Sequence, residues 1–275
     1  MKQIAVLLTC HNRKDKTLHC LQALYAQQGL EVDFNIEVFL VDDASTDGTA
    51  QAVFEQFSQV KIIQGDGNLY WNRGMYLAWQ IASNTKDFDY YLWLNDDTFL
   101  DKEALHALLL QTFATAIVCG TTQSIQSHEI TYGGFRKNPD RIIVPDSTFQ
   151  ECDYYNGNCV LIPRKVFNIV GNLDPVFHHA VGDFDYGLRA KALGIKLFIA
   201  PKFIGTCEGH PNIPQWRSPS TNILKRIKLL YSASSGCFPT QYFVFDRRHN
   251  GLTIAIFHFF TIHLRAFLPA LWNQK

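Results

Sequence analysis

Asn95-Asp96-Asp97 stands immediately after the apolar run YYLWL at 90–94. Two adjacent carboxylates at the end of a buried strand repel each other, and neither stays ionised easily without a counter-charge. A divalent cation supplies one, with oxygen ligands suited to Mg²⁺ or Mn²⁺ and open positions for a diphosphate. The same residues also read as a helix start, with Asp97 or Thr98 as the N-cap. Asp42-Asp43 follows the apolar run 36–41 in the same way. A carboxylate there accepts from the N–H of a nucleobase edge, or closes an Asx turn into the next helix. Asp183 and Asp185 open a helical segment, GDFDYGLR at 182–189. The helix dipole favours an acid in a first turn whatever its task, and beside a diphosphate it can act as general base towards a hydroxyl. Cys207-Glu208-Gly209-His210 adds a histidine that is either an ordinary hydrogen-bonded side chain or a metal ligand.

The elements that must position these groups alternate through the first half. Apolar runs at 4–9, 36–41, 60–63, 90–94 and 116–119 read as strands, and segments 17–27, 49–57, 72–82 and 102–112 as helices. Strands separated by helices of this length imply βαβ units and a doubly wound, mostly parallel, Rossmann-like α/β sheet. Ligands of such sheets sit beyond the carboxyl ends of the strands. The polar clusters at 9–13, 42–46, 65–68 and 95–97 fall at those ends, so four loops converge on one rim where a nucleotide would bind. The second half is mixed: a turn at Tyr132-Gly133-Gly134-Phe135, a strand at 158–162, a helix opened by Pro163, a helix at 183–193 and a strand at 195–200.

Composition narrows the class. The 275 residues are 47% hydrophobic and 18% charged, which excludes a disordered chain. Lys+Arg and Asp+Glu are both 25, against a strongly basic nucleic-acid binder. The balance hides an asymmetry, because residues 215–275 carry eight basic residues and one acid. Seven cysteines without a C-x-x-C pair give no zinc or disulfide framework, and the short apolar run after Met1 is no secretory signal. A cytoplasmic setting is expected. The apolar stretch 251–268 contains His258, His263 and Arg265, which argues against spanning a bilayer and for an interfacial or packed helix.

Seven stretches in order resemble the family 2 glycosyltransferases with the GT-A fold: IAVLLTCHNR, FLVDDASTDGT, GNLYWNRGM, YLWLNDDT, NGNCVLIPRKVF, GDFDYGLRAKALG and GTCEGH, together covering about 1–210. GNLYWNRGM and the segment 242–250 look most like the bacterial branch with rhamnosyltransferase-like enzymes of cell-surface polysaccharide assembly. The resemblance implies a domain at 1–210, with a nucleotide-sugar half at 1–120 and a mixed acceptor-side half at 121–210, then a helical C-terminal region at 211–275. It implies transfer of a sugar from a UDP-, dTDP- or GDP-linked donor to a hydroxyl, with inversion and with Mn²⁺ or Mg²⁺ as cofactor. Thr9 and Asp43 would contact the base, Asn68 the ribose and diphosphate, Asp96 the ribose or metal, Asp97 and His210 the metal, and Asp183 would be the catalytic base.

Three departures bear on this. Asn95 and Gly182 stand where acids are common in the family, Tyr70 and Arg73 replace small residues, and Asp185 rivals Asp183 as base. A sugar nucleotidyltransferase is the competing enzyme class, yet 9–16 lacks the glycines of a triphosphate loop. A non-catalytic nucleotide-sugar-binding module is the third reading. Trp71, Trp93, Tyr132 and Trp216 are expected pocket walls. The basic tail, with Lys225, Arg226, Lys228, Arg247 and Arg248, suggests peripheral docking at the inner face of the cell membrane, where lipid-linked acceptors would be met, or else an oligomer interface. Cys10 beside His11 lies in the nucleotide loop and is set aside as a nucleophile.

Overall fold

The computed structural model describes residues 1–29, 34–110, 114–137, 140–209 and 214–271. Its core is a mixed sheet in the order β10-β13-β6-β12-β4-β1-β2-β3. Those strands are β1 (Lys2–Cys10), β2 (Phe34–Asp42), β3 (Lys61–Gln64), β4 (Tyr90–Leu94), β6 (Ala116–Gln123), β10 (Gln150–Glu151), β12 (Cys159–Pro163) and β13 (Lys196–Thr206). Short β5 (Phe99–Leu100) pairs with β13, and β7 (Ile130–Tyr132) with β6; β8 (Gly134–Lys137), β9 (Asp140–Ile142) and β11 (Tyr154–Tyr155) form a separate small sheet. The Tyr132–Phe135 turn is thus a switch between two sheets around Gly133.

Strands β3, β2, β1 and β4 are parallel. Along β1, Ile4, Val6 and Leu8 enter one apolar cluster and Ala5 and Leu7 the other. Both faces are covered, which is why the run reads as continuous rather than alternating hydrophobicity. Helices α1 (Lys14–Tyr25), α2 (Thr49–Gln56) and α4 (Ala104–Leu109) cover the first face, and α3 (Tyr70–Thr85), α5 (Arg164–Val170) and α6 (Gly182–Ala192) the second. Positions 111 and 112 of the expected fourth helix lie outside the described residues. β12 runs antiparallel to β4, with Cys159 opposite Leu94, so its beginning meets the rim where β4 ends.

Two helices start earlier than their local sequence suggests, and the cause is tertiary. Lys14 N–H donates to Asp47 Oδ2 at 3.0 Å, extending α1. Leu69 and Tyr70 N–H both donate to Asp43 Oδ2 at 3.0 Å, so α3 is capped by a carboxylate from another loop. The C-terminal region is helical, with α7 (Ile223–Leu230), α8 (Pro239–His249) and α9 (Leu252–Phe267) around a small core of Trp216, Leu230, Ile262 and Ala266. Among the described residues no helix is long and apolar enough to cross a membrane.

Candidate active site

A cavity of about 470 Å³ opens at the carboxyl ends of β1, β2 and β4, within the range of small-molecule sites. Thr9, Asp43, Asp96, Asp97 and Asp183 all line it. The separate acidic tips therefore share one cleft.

Asp43 anchors the wall nearest β2. Its Oδ1 accepts from Gly67 N–H at 2.8 Å and its Oδ2 from Leu69 and Tyr70, so the carboxylate shapes the 65–70 loop as well as facing the cavity. A Cβ at Gly65 would lie 2.7 Å from Asp43 Oδ1, and one at Gly74 would lie 2.3 Å from Thr9 Oγ1. Both glycines let backbone approach these side chains. Asn68 does not line the cavity; it is exposed, and its side-chain amide turns back to the carbonyl of Asp66. Its neighbours Tyr70 and Trp71 reach the cavity instead.

The carboxylate pair after β4 already has a counter-charge, which the sequence did not disclose. Arg13 Nη1 lies 2.9 Å from Asp96 Oδ1 and 2.8 Å from Asp97 Oδ2. Burial pushes the Asp96 carboxyl up to about 6 despite the opposing pull of Arg13. The described residues contain no group of three or more His, Cys, Asp or Glu side chains able to cage a metal. The end of β4 provides two carboxylates, and Asp97 Oδ1 receives a weak thiol contact from Cys207 at 3.7 Å. Such a set fits a cation shared with phosphate oxygens, as Mg²⁺ is often held, and not a protein-only cage. His210 lies outside the described residues. Asn95, where an acid was expected, accepts from Trp71 Nε1–H at 2.6 Å through Oδ1. The amide locks the Trp71 ring against the cavity.

Asp183 sits in the first turn of α6. Its Oδ2 accepts from Gly157 N–H at 2.8 Å and its Oδ1 from Phe184 N–H at 2.9 Å. Burial nevertheless raises its carboxyl to about 6, against the lowering effect of these backbone donors. A carboxyl so raised has the proton affinity that a general base working near neutral pH needs. Gly182 has no room for a side chain, since a Cβ would fall 1.9 Å from Asn72 Oδ1. The buried Asn72 amide donates to the carbonyls of Asp174 and Phe177, tying α3 to the loop that delivers Asp183.

Asp185 has a different task. It is fully buried and paired with Arg189 Nε at 2.8 Å, Arg248 Nη1 at 2.6 Å and His249 Nε2 at 2.9 Å. Desolvation opposes its ionisation, but these partners hold its carboxyl below the usual range. It joins α8 to α6 and does not line the cavity.

Two expected aromatic walls are elsewhere. Trp93 is buried in the core, and Trp216 is buried in the C-terminal cluster with its N–H on Ser235 O. Trp71 and Tyr132 do line the cavity, joined by Phe184 and by Tyr242 of α8. The C-terminal region is thus part of the site. Asn12, Ala44 and Val181 on loops around this rim, and Tyr70 at the start of α3, have φ between 52° and 59°. For Val181 that is a real departure from β-branched preferences, of the kind that clusters at functional sites. Cys10 is a neutral thiol, raised by burial and then by Asp42, and so no nucleophile.

Solved structures of similar fold include S. aureus TarS, with a TM-score of 0.56 and 14% identity over 91% of this chain and 43% of that one. This chain therefore spans under half the length of that TarS chain. The Pyrobaculum calidifontis mannosyltransferase PcManGT, in complex with GDP-Man and Mn²⁺, gives 0.55 at 14% identity, covering 99% and 88%. TarS residues 1–349 with UDP-GlcNAc give 0.56 at 15% identity, covering 95% and 81%. These likenesses show the GT-A fold. No curated protein matches the sequence. The profile of glycosyl transferase family 2 matches residues 5–171, well over half of the chain, and together with the strand-end carboxylates this establishes that the chain belongs to glycosyl transferase family 2.

Proposed function

We propose that this family 2 glycosyltransferase moves a sugar from a UDP-, dTDP- or GDP-linked donor to a hydroxyl acceptor with inversion, and that Asp183 is the base. The observation that carries the reading is a carboxylate fixed by two backbone N–H groups, raised to about 6, in the cavity that Asp43 and Asp97 also line. The acceptor oxygen attacks the anomeric carbon opposite the departing diphosphate, and its proton passes to Asp183 as the new C–O bond forms. A base so placed contributes about 10²–10⁴-fold. Thr9 and the Asp43-ordered loop would receive the nucleotide. Asp97 and His210, with Asp96 beside Asp97, would hold the divalent cation. When bound, that ion supplies charge neutralisation for the leaving diphosphate. The bound donors of the similar structures, UDP-GlcNAc and GDP-Man, support the donor class. A thermal-shift panel of UDP, GDP and dTDP with and without Mn²⁺ tests it, since a ligand raises stability by RT ln(1+[L]/Kd). One nucleotide should raise Tm; no shift with any of the three would overturn the reading.

We further propose bacterial cell-surface polysaccharide assembly as the setting, in line with the rhamnosyltransferase-like motifs, with α9 resting on an anionic membrane surface. Helix α9 exposes Ile256, Phe257, Phe260, Leu264 and Phe267 on one side, and Lys225, Lys228 and Arg247 are exposed on the helices packed against it. Not all of the tail's charge is available. Arg226 is buried, and Arg248 is paired with Asp185 and Asp174.

A further inference from the structure

Arg13 follows β1 and crosses to the end of β4, where a single nitrogen, Nη1, contacts both members of the carboxylate pair. Asp96 is 5% exposed and Asp97 7%, so the pair has little solvent to screen it. Arg13 itself lines the cavity, and its Nε and Nη2 have no hydrogen-bond partner among the described residues. The guanidinium therefore neutralises the pair from one corner and keeps donors for whatever enters the cavity.

We infer that Arg13 is an internal counter-ion that competes with the divalent cation for Asp96 and Asp97, and yields only when a nucleoside diphosphate enters and takes over its guanidinium. The inference rests on the donor class proposed above. At the carboxylate pair itself, two carboxylates and one guanidinium leave a single negative charge, too little to hold a dication against a neighbouring cation where solvent is scarce. A diphosphate changes the balance. Its oxygens match the planar fork of an arginine, and they also give the dication ligands that the protein lacks. Cation and nucleotide then bind with positive coupling, and the coupling is reciprocal. Arg13 is in this account a donor-binding residue and the source of ordered loading.

The test is a titration of Mn²⁺, followed by the electron paramagnetic resonance of the free ion, into the wild-type chain, Arg13→Gln and Arg13→Lys, without nucleotide and with the nucleoside diphosphate that gives the largest thermal shift. The wild type should bind Mn²⁺ weakly alone and at least about ten-fold tighter with nucleotide. Arg13→Gln should bind Mn²⁺ alone at least about ten-fold tighter than wild type, the effect of removing one adjacent charge, and should lose most of the nucleotide enhancement. Arg13→Lys keeps the charge and should stay weak alone, which separates competition from damage to the fold. Equal affinity of Arg13→Gln and wild type for Mn²⁺ alone would overturn the inference, as would tight Mn²⁺ binding by the wild type alone. The arm without nucleotide is independent of the donor reading, whose own failure would be the absence of any nucleotide-induced shift.

Discussion

The N–H of Gly157 lies 2.8 Å from Oδ2 of Asp183, and the position admits no side chain because a Cβ would lie 2.6 Å from the Trp71 ring. The turn just before β12 thus holds the proposed base and is itself pressed against the residue that Asn95 locks. Gly157→Ala should displace Trp71 and the base together. Turnover should fall at least about ten-fold, as small misplacements do, while circular dichroism stays that of the wild type.

The two neighbouring carboxylates should separate cleanly by mutation. Asp185→Ala leaves Arg248 and Arg189 facing a buried gap and should cost about 3–5 kcal/mol. That corresponds to a Tm lowered by roughly 10 °C in calorimetry. Asp183→Asn should abolish transfer, by about 100-fold or more, with the fold intact. The reverse pattern would identify Asp185 as the base.

The raised carboxyl of Asp183 fixes the direction of the pH dependence. Its working form is ionised, so kcat/KM should rise through about pH 6 and level off above it, rather than near the ordinary value of about 4. The folded state binds this proton more tightly than the unfolded chain does. The group's contribution to stability is therefore full below about pH 4 and is lost as the pH rises through about 6. A rate profile flat from pH 5 to 8 would contradict the assignment.

The outward face of α9 should matter for location and not for folding. Phe257 and Phe260 are 60% and 67% exposed. Replacing both by Ser should change stability by no more than about 1 kcal/mol and abolish co-sedimentation with anionic vesicles at low salt. Wild-type protein remaining in the supernatant would remove the membrane proposal.

Much of this architecture was legible in the sequence because β1, β2 and β4 are buried on both faces, and their continuous apolar runs give way to Thr9, Asp42 and Asn95 at the carboxyl ends. Asp185 could not be told from Asp183 by spacing, since its partners Arg248 and His249 lie more than sixty residues away. Separation in sequence likewise concealed the bridge from Arg13 to Asp96 and Asp97, the Trp71–Asn95 bond across 24 residues and the entry of Tyr242 into the cavity. The start of α3 was misplaced because its cap comes from Asp43 and not from a local residue. Trp93 and Trp216 show the converse: large aromatics within a strand and before a helix read as walls, yet both complete apolar clusters.

The central claim is that one cleft both loads an activated sugar and carries its base. Release of nucleoside diphosphate from UDP-, GDP- and dTDP-sugars, with Mn²⁺ and a panel of hydroxyl acceptors, tests it most directly when wild type and Asp183→Asn are compared. Release by the wild type is expected with at least one donor, and the variant should still be stabilised by the nucleotide without turning over. Turnover by Asp183→Asn at the wild-type rate, or none by the wild type with any donor, would contradict it.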